Sequence, residues 1–194
     1  MTTTTAPEAI LAYAQLYAYG LPEAPEAAGM TEEIVQSVQV KVIGDVLNSY
    51  RQYPISEETA QAATTEYLAK LHGLMNIRTT LKVDDAVNPV VELTASVLDN
   101  EGADEAAETD RDLIKLGTRL GILRSRGMTD EQIKADEDFQ NFALDCLDKF
   151  TDNFPFHDEA SIDIVCQAVE GEDGKKYWAP VAPEMIAQFV TGQL

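Results

Sequence analysis

Two cysteines, two histidines, one tryptophan and fourteen Lys and Arg are what this 194-residue chain has little of, and each shortage excludes something. Cys146 and Cys166 are too few for a disulfide scaffold, so a reducing cytoplasm, or a particle assembled there, is the expected location. His72 and His157 are the whole histidine complement, which leaves little for a histidine-rich metal centre. The adjacent His157-Asp158 pair follows a break at Phe154-Pro155-Phe156 and reads as structural. No stretch approaches the roughly 18 consecutive apolar residues of a membrane span. Met1 to Ala9 has neither the bases nor the long apolar run of a secretory leader. Neither G-x-x-x-x-G-K-[ST] nor G-x-S-x-G occurs, so no motif speaks for phosphate binding or a serine nucleophile.

What the chain has in quantity is negative charge. Thirty-four acids against fourteen bases give −20 and a pI near 4.2, while 45% apolar residues supply a core that a disordered acidic tail lacks. A surface this acidic repels phosphate, so direct binding to nucleic acid or to anionic lipid is not expected. Imitation of DNA is a separate question. Spread over the roughly 9,000 Å² expected for this mass, the net charge amounts to roughly one per 450 Å². Duplex DNA carries roughly one per 110 Å². Mimicry therefore needs the carboxylates gathered on one face.

Helical periodicity dominates the pattern. Pro7 and Glu8 suit a first turn and Gly20 a stop, with Ile10, Tyr13, Ala14 and Tyr17 between them. A second helix is predicted from Thr31 through Ile34, Val35, Val38, Val42, Val46 and Tyr50, although Val38, Val40 and Val42 also alternate as a strand would. Ser56 caps a third through Ala60, Ala63, Tyr67, Leu71 and Leu74. Residues 77–83 alternate and can form a short strand, whereas Asn88-Pro89 predicts a brief helix through Val91, Ala95 and Leu98. Leu113, Leu116, Leu120 and Leu123 make a stripe ending at Gly127. Thr129 and Gln132 form a capping box expected to open the best helix, with Phe139, Phe142, Ala143, Cys146, Leu147 and Phe150 at i, i+3, i+4, i+7, i+8 and i+11. Residues 162–169 fit strand and helix equally. Lys176, Tyr177 and Trp178 can return as a hairpin arm, and Pro183 starts a last helix through Ile186, Phe189 and Val190. The expected fold is mainly α, a compact helical bundle of about six helices with at most a small β-hairpin near the C-terminus. One compact domain is expected, made of an N-terminal helical part (1–98), an acidic linker (99–112) and a C-terminal helical part (113–194).

Candidate chemistry is thin. Glu105/Glu108 and Asp145/Asp148 have the spacing by which helical Mg²⁺-dependent nucleotide hydrolases hold their cation. On the helical wheel, however, Asp145 and Asp148 lie far from the apolar stripe of their own helix. Asp136-Glu137-Asp138 and the run Asp99–Asp110 lack the glycine and the alternating ligands of a calcium loop, so both read as solvated charge. Cys146 falls in the apolar stripe and reads as core. No catalytic residue, metal ligand or cofactor is assigned.

Two charged features point to interaction. Asp99, Glu101, Asp104, Glu105 and Glu108 crowd one run, with Asp136, Glu137 and Asp138 a second cluster. Arg111, Lys115, Arg119, Arg124 and Arg126 hold five of the fourteen bases within sixteen positions. They serve either as internal partners of the acids just upstream or as a docking stripe for an acidic surface, including a second copy of the chain. The expected function is a non-enzymatic interaction protein, an assembly or adaptor component of the kind phages and mobile elements carry. It would dock on a basic protein surface or self-associate. A DNA-mimicking inhibitor of a nucleic-acid-binding protein is the alternative, and a Mg²⁺-dependent helical hydrolase the third.

Overall fold

In the computed structural model, which describes Thr2 and residues 4–194, helix α1 (Ala6–Tyr19) begins at a capping box that the Thr5 and Glu8 side chains build. The Glu8 carboxylate accepts from the Thr5 backbone N–H at 2.9 Å, and the two hydrogen bonds from Thr5 hold its pKa below the usual range. Gly20 ends the helix at φ 73°, a left-handed conformation natural to glycine. A short 3₁₀ helix follows (Pro25–Ala28), closed by Gly29 at φ 63°. A Cβ on Gly29 would meet the Tyr177 ring at 2.5–2.9 Å, so only glycine fits there.

Helix α2 (Glu32–Tyr50) runs unbroken through the alternating valines, and Val40 at 71% exposure is the member that its helical period turns to solvent. Helix α3 (Glu57–Met75) starts where the Ser56 hydroxyl accepts from the Thr59 N–H at 3.1 Å. Strand β1 (Arg78–Val83) then occupies the alternating segment.

Here the expectation of a helical bundle fails. Residues 88–98, expected as a helix, contain strand β2 (Val90–Ala95), which pairs antiparallel with β1. The sequence carried both periods: Val91, Ala95 and Leu98 fit a helix, while Val91, Leu93 and Ala95 fit a strand and are the ones fully buried. β-Branched Val90, Val91 and Thr94 suit the strand, and pairing on both sides decides it. Strand β3 (Ala160–Glu170) lies against β2 with Val91 opposite Ile164 and Leu93 opposite Ile162, and β4 (Lys176–Pro180) completes the order β1-β2-β3-β4. The sheet is thus four antiparallel strands, not one hairpin. With 57% of residues helical and 16% in strands, the fold is mixed α and β rather than a helical bundle. Val91, Leu93, Ile164 and Cys166 are buried on one face of the sheet. The other shows alternating polar residues, where Lys82 bridges Asp163 at 2.8 Å and Arg78 pairs with Glu159.

Residues 100–109, inside the run expected as a linker, form helix α4 (Asn100–Thr109), followed by α5 (Arg111–Ser125). The Thr129 capping box is present but opens only the short α6 (Asp130–Lys134). The long amphipathic helix α7 (Glu137–Asp152) has its own cap, Asp136, which accepts from the Phe139 N–H at 2.7 Å. Helix α8 (Pro183–Val190) closes the chain as expected.

The chain divides into two units that interleave along the sequence. Unit 1 (1–42, 71–98 and 156–194) holds the sheet with α1 and α8, and Ala9, Ala12 and Ala28 cluster there with Trp178. Unit 2 (43–70 and 99–155) is helical. Its core gathers Ile55, Ala60, Ala63, Leu116, Ile133, Phe139, Ala143, Cys146 and Leu147. Both cysteines are free and buried, and burial pushes the Cys166 thiol up to about 11.

Gly117 and Gly121 stand inside α5 with open space where a Cβ would go. A glycine in a helix interior costs about 0.5–1 kcal/mol against alanine. Gly117→Ala and Gly121→Ala are each expected to raise the unfolding free energy by that amount. A fall in stability on thermal unfolding would show that the backbone there needs its bareness.

Candidate functional site

The most built feature of unit 2 is an aromatic groove. The stripe of α7 ends at Phe150, whose ring meets Phe154 edge-on at 4.7 Å between centroids. Phe154 meets Tyr67 of α3 in the same way at 5.6 Å. Tyr50 and Tyr53, at the end of α2 and just beyond it, bring two more rings. The α4 residues Ala103 and Ala107 form a wall of small side chains, and the whole makes an open groove of about 440 Å³. Burial raises the phenol pKa of Tyr50 and of Tyr67 to about 12, so both keep their protons at neutral pH. Two exposed carboxylates, Asp45 of α2 and Asp104 of α4, stand at the groove.

Helix α4 explains its own acid content. Glu101, Asp104, Glu105 and Glu108 fall at i, i+3, i+4 and i+7, which places four exposed carboxylates on one side. Gly102, Ala103, Ala106 and Ala107 make the half-buried side. A Cβ on Gly102 would press on the Asp99 carboxylate at 2.6 Å, which the cap geometry cannot spare. Asp99 is the N-cap of α4, accepting from the Gly102 N–H at 2.9 Å, so it serves the helix start. Asp136 does the same for α7, with Glu137 and Asp138 in the first turn where the helix dipole favours acids.

Three of the five bases in and just after α5 take separate partners. Lys115 pairs with Asp112 at 2.9 Å, Arg124 with Asp130 at 2.9 Å, and the Arg119 guanidinium sits 4.6 Å from the centre of the Phe142 ring. Arg111 opens α5, and Arg126 follows its last turn as the C-cap. Among the described residues, no ion pair joins Glu101, Asp104, Glu105 or Glu108 to a base. The acid face of α4 is therefore uncompensated by the bases immediately downstream.

Of the two carboxylate pairs with cation-holding spacing, Glu105/Glu108 lies on the exposed face of α4, and Asp145/Asp148 is engaged by lysines. Asp145 accepts from Lys149 at 2.6 Å, and Asp148 from Lys70 at 2.5 Å. Lys70 also reaches Asp152 at 2.6 Å and the Asp148 carbonyl at 2.8 Å. One ammonium thus ties α3 to two turns of α7. Among the described residues, no three His, Cys, Asp or Glu side chains converge as a metal site. His72 contacts Glu23 at 2.7 Å and lies edge-on to Tyr19 in unit 1, while the His157 N–H donates to the Val97 carbonyl there. Unit 1 has a pocket of about 380 Å³ beside Glu26, Glu172 and Asp173, but Asp173 already accepts from the Tyr177 hydroxyl and the Lys175 N–H.

Sequence periodicity singled out the acids and bases but not the groove. Tyr50, Tyr53, Tyr67, Phe150 and Phe154 come from three separate segments, and the local signals are the Tyr50-x-x-Tyr53 spacing beside Pro54 and the Phe150-x-x-x-Phe154 spacing.

No protein-family model matches the chain, and no curated protein matches it. Among solved structures it is similar to YcdA, a candidate lipoprotein of Bacillus subtilis subsp. subtilis strain 168, with 13% sequence identity and a TM-score of 0.53. The likeness covers 97% of this chain and 56% of that one, so the chain spans little more than half of the neighbour. At this identity it is a likeness of fold alone. Among the described residues no helix is long and apolar enough to cross a membrane.

Proposed function

We propose that this protein is a non-enzymatic interaction module, an assembly or adaptor component, that docks its acidic surface on a basic face of a protein partner. The observation that carries this reading is the uncompensated acid face of α4. Four exposed carboxylates share one side of a ten-residue helix that has no base of its own, while Lys115 and Arg124 of the next helix pair elsewhere. Such a field speeds encounter with a basic surface and selects against acidic ones. The net charge itself is not local: unit 1 has 15 acids to 5 bases and unit 2 has 19 to 9, so each carries half of it. A cytoplasmic location, or one in a particle assembled there, belongs to this reading. The likeness to a candidate lipoprotein makes a membrane surface the rival location, which cell fractionation separates.

The test is a nuclease-treated pull-down from the native host, with bound proteins identified by mass. Wild type is compared with the triple variant Glu101→Gln, Glu105→Gln, Glu108→Gln. The expected result is a basic protein retained by wild type, recovered about tenfold less by the variant, and indifferent to added DNA. Release by duplex DNA would instead favour the mimic-type inhibitor, and recovery of the chain's own copies self-association. Equal recovery by the triple variant would remove α4 from the interface.

A further inference from the structure

The groove of unit 2 has a chemistry that the acid face alone lacks. Its walls are aromatic rings, Tyr50, Tyr53, Tyr67 and Phe154 among them, and the charges beside it are both negative, Asp45 and Asp104. Neither carboxylate is joined to a base in any ion pair among the described residues. We infer that this groove seats an arginine side chain of the partner, its guanidinium against the rings and its charge toward Asp45 and Asp104. This rests on the docking reading above for the identity of the partner as a basic protein, and on the groove for the anchor.

Three properties choose the occupant. Rings attract a cation over their faces through the negative charge of the π-system, and most strongly where water is excluded. Charge complementarity selects a cation over an anion, because Asp45 and Asp104 would repel the latter. Among cations, the planar guanidinium stacks on rings and forks onto carboxylates, whereas an ammonium is a compact, strongly hydrated charge. A volume of about 440 Å³ lies in the range of roughly 300–1,000 Å³ typical of ligand clefts. Asp104 belongs both to the acid face of α4 and to this groove, so an arginine seated there lies next to Glu101, Glu105 and Glu108, where further partner bases would rest. Buried aromatic and arginine anchors are where binding energy concentrates at protein interfaces.

The test titrates the full chain with the blocked peptide acetyl-Gly-Arg-Leu-Gly-amide and with its citrulline counterpart, which keeps the shape and loses the charge, following backbone amide shifts by NMR. The arginine peptide is expected to shift the amides of Tyr53, Ala103 and Ala107 and to bind about tenfold more tightly than the citrulline peptide. Asp45→Asn with Asp104→Asn should erase that preference, and Ala107→Phe, which fills the groove from its wall, should abolish binding. Dispersion of the same spectra verifies that each variant is folded, and the two Asn changes are isosteric at exposed positions. Equal binding of the two peptides, shifts mapping outside the groove, or no shift at millimolar peptide would overturn the proposal. In the pull-down, a partner lost by the α4 glutamine variant but kept by the Asn pair would sink the groove and leave the docking reading standing. Arginine binding in the groove without any basic partner recovered would do the reverse.

Discussion

Phe139→Ala is expected to cost unit 2 about 3–5 kcal/mol, the range for emptying a buried aromatic site. Phe139 is fully buried at the first turn of α7, in a cluster that includes Ala60, Ala63 and Ala143. Alanine side chains have no rotamers with which to lean into a void, so the space left by the ring stays open and its lining loses contacts outright. The change is read by urea unfolding followed through helical circular dichroism. The sole tryptophan, Trp178, belongs to unit 1 and reports on the other body. A loss below about 1 kcal/mol would mean that the site collapses and that Phe139 is not the keystone its burial implies.

Lys70→Met is expected to cost about 1–3 kcal/mol, between an exposed ion pair and a buried one. The Lys70 side chain is 26% exposed and holds Asp148, Asp152 and a carbonyl of α7. Methionine keeps the stem and removes the charge, which leaves Glu66, Asp148 and Asp152 to repel one another. Burial alone would lower the Lys70 pKa, but its hydrogen bonds to Asp148 and Asp152 outweigh that and raise it. A raised ammonium pKa means stability that is fully present below about pH 10, the unfolded value, and is lost as pH climbs through the folded one. The gap between wild type and Lys70→Met should therefore hold flat to about pH 10 and close above it. A gap already closing near neutrality would show that the ammonium is not what binds the two helices. Glu66 supplies the converse. Burial, and then Asp148, raises its carboxyl pKa, so Glu66→Gln should stabilise slightly, by less than about 1 kcal/mol after screening. Wild type should recover that difference as pH falls through the raised value.

Local signals in the sequence reached the elements whose caps and period agree. Helix α1, with Pro7, Glu8 and Gly20, is one, and α8 after Pro183 another. The stripe of α7 was legible, yet its start was placed at Thr129 because a capping box does not say how far its helix runs. Asp136, six residues before Phe142, was the effective cap. Strand β2 was missed for a different reason. Six residues carry too few periods to separate 2 from 3.6, and what settles Val90–Ala95 as a strand is pairing with β3 about 70 positions away. The groove escaped for the same cause, since its rings meet only through tertiary structure. Charge, by contrast, survives folding: the four acids of α4 share a face because their spacing is helical, whichever element their run was expected to be.

The helical excursion between β2 and β3 leaves and returns at one point. Leu98 bridges Phe156, and the Asp99 N–H donates to the Pro155 carbonyl at 3.0 Å, immediately beyond the paired Ala95 and Ala160. Zipping that seam closes a loop of some sixty residues, an entropic toll of about 3–4 kcal/mol before any strand contact repays it. The hairpins β1–β2 and β3–β4 close over short spans and can form early. The central seam, made of the most distant strand pairs of the sheet, is then the slowest of the three strand pairings to form. On a ribosome it must wait until β3 emerges, by which time every helix of the excursion has already been made.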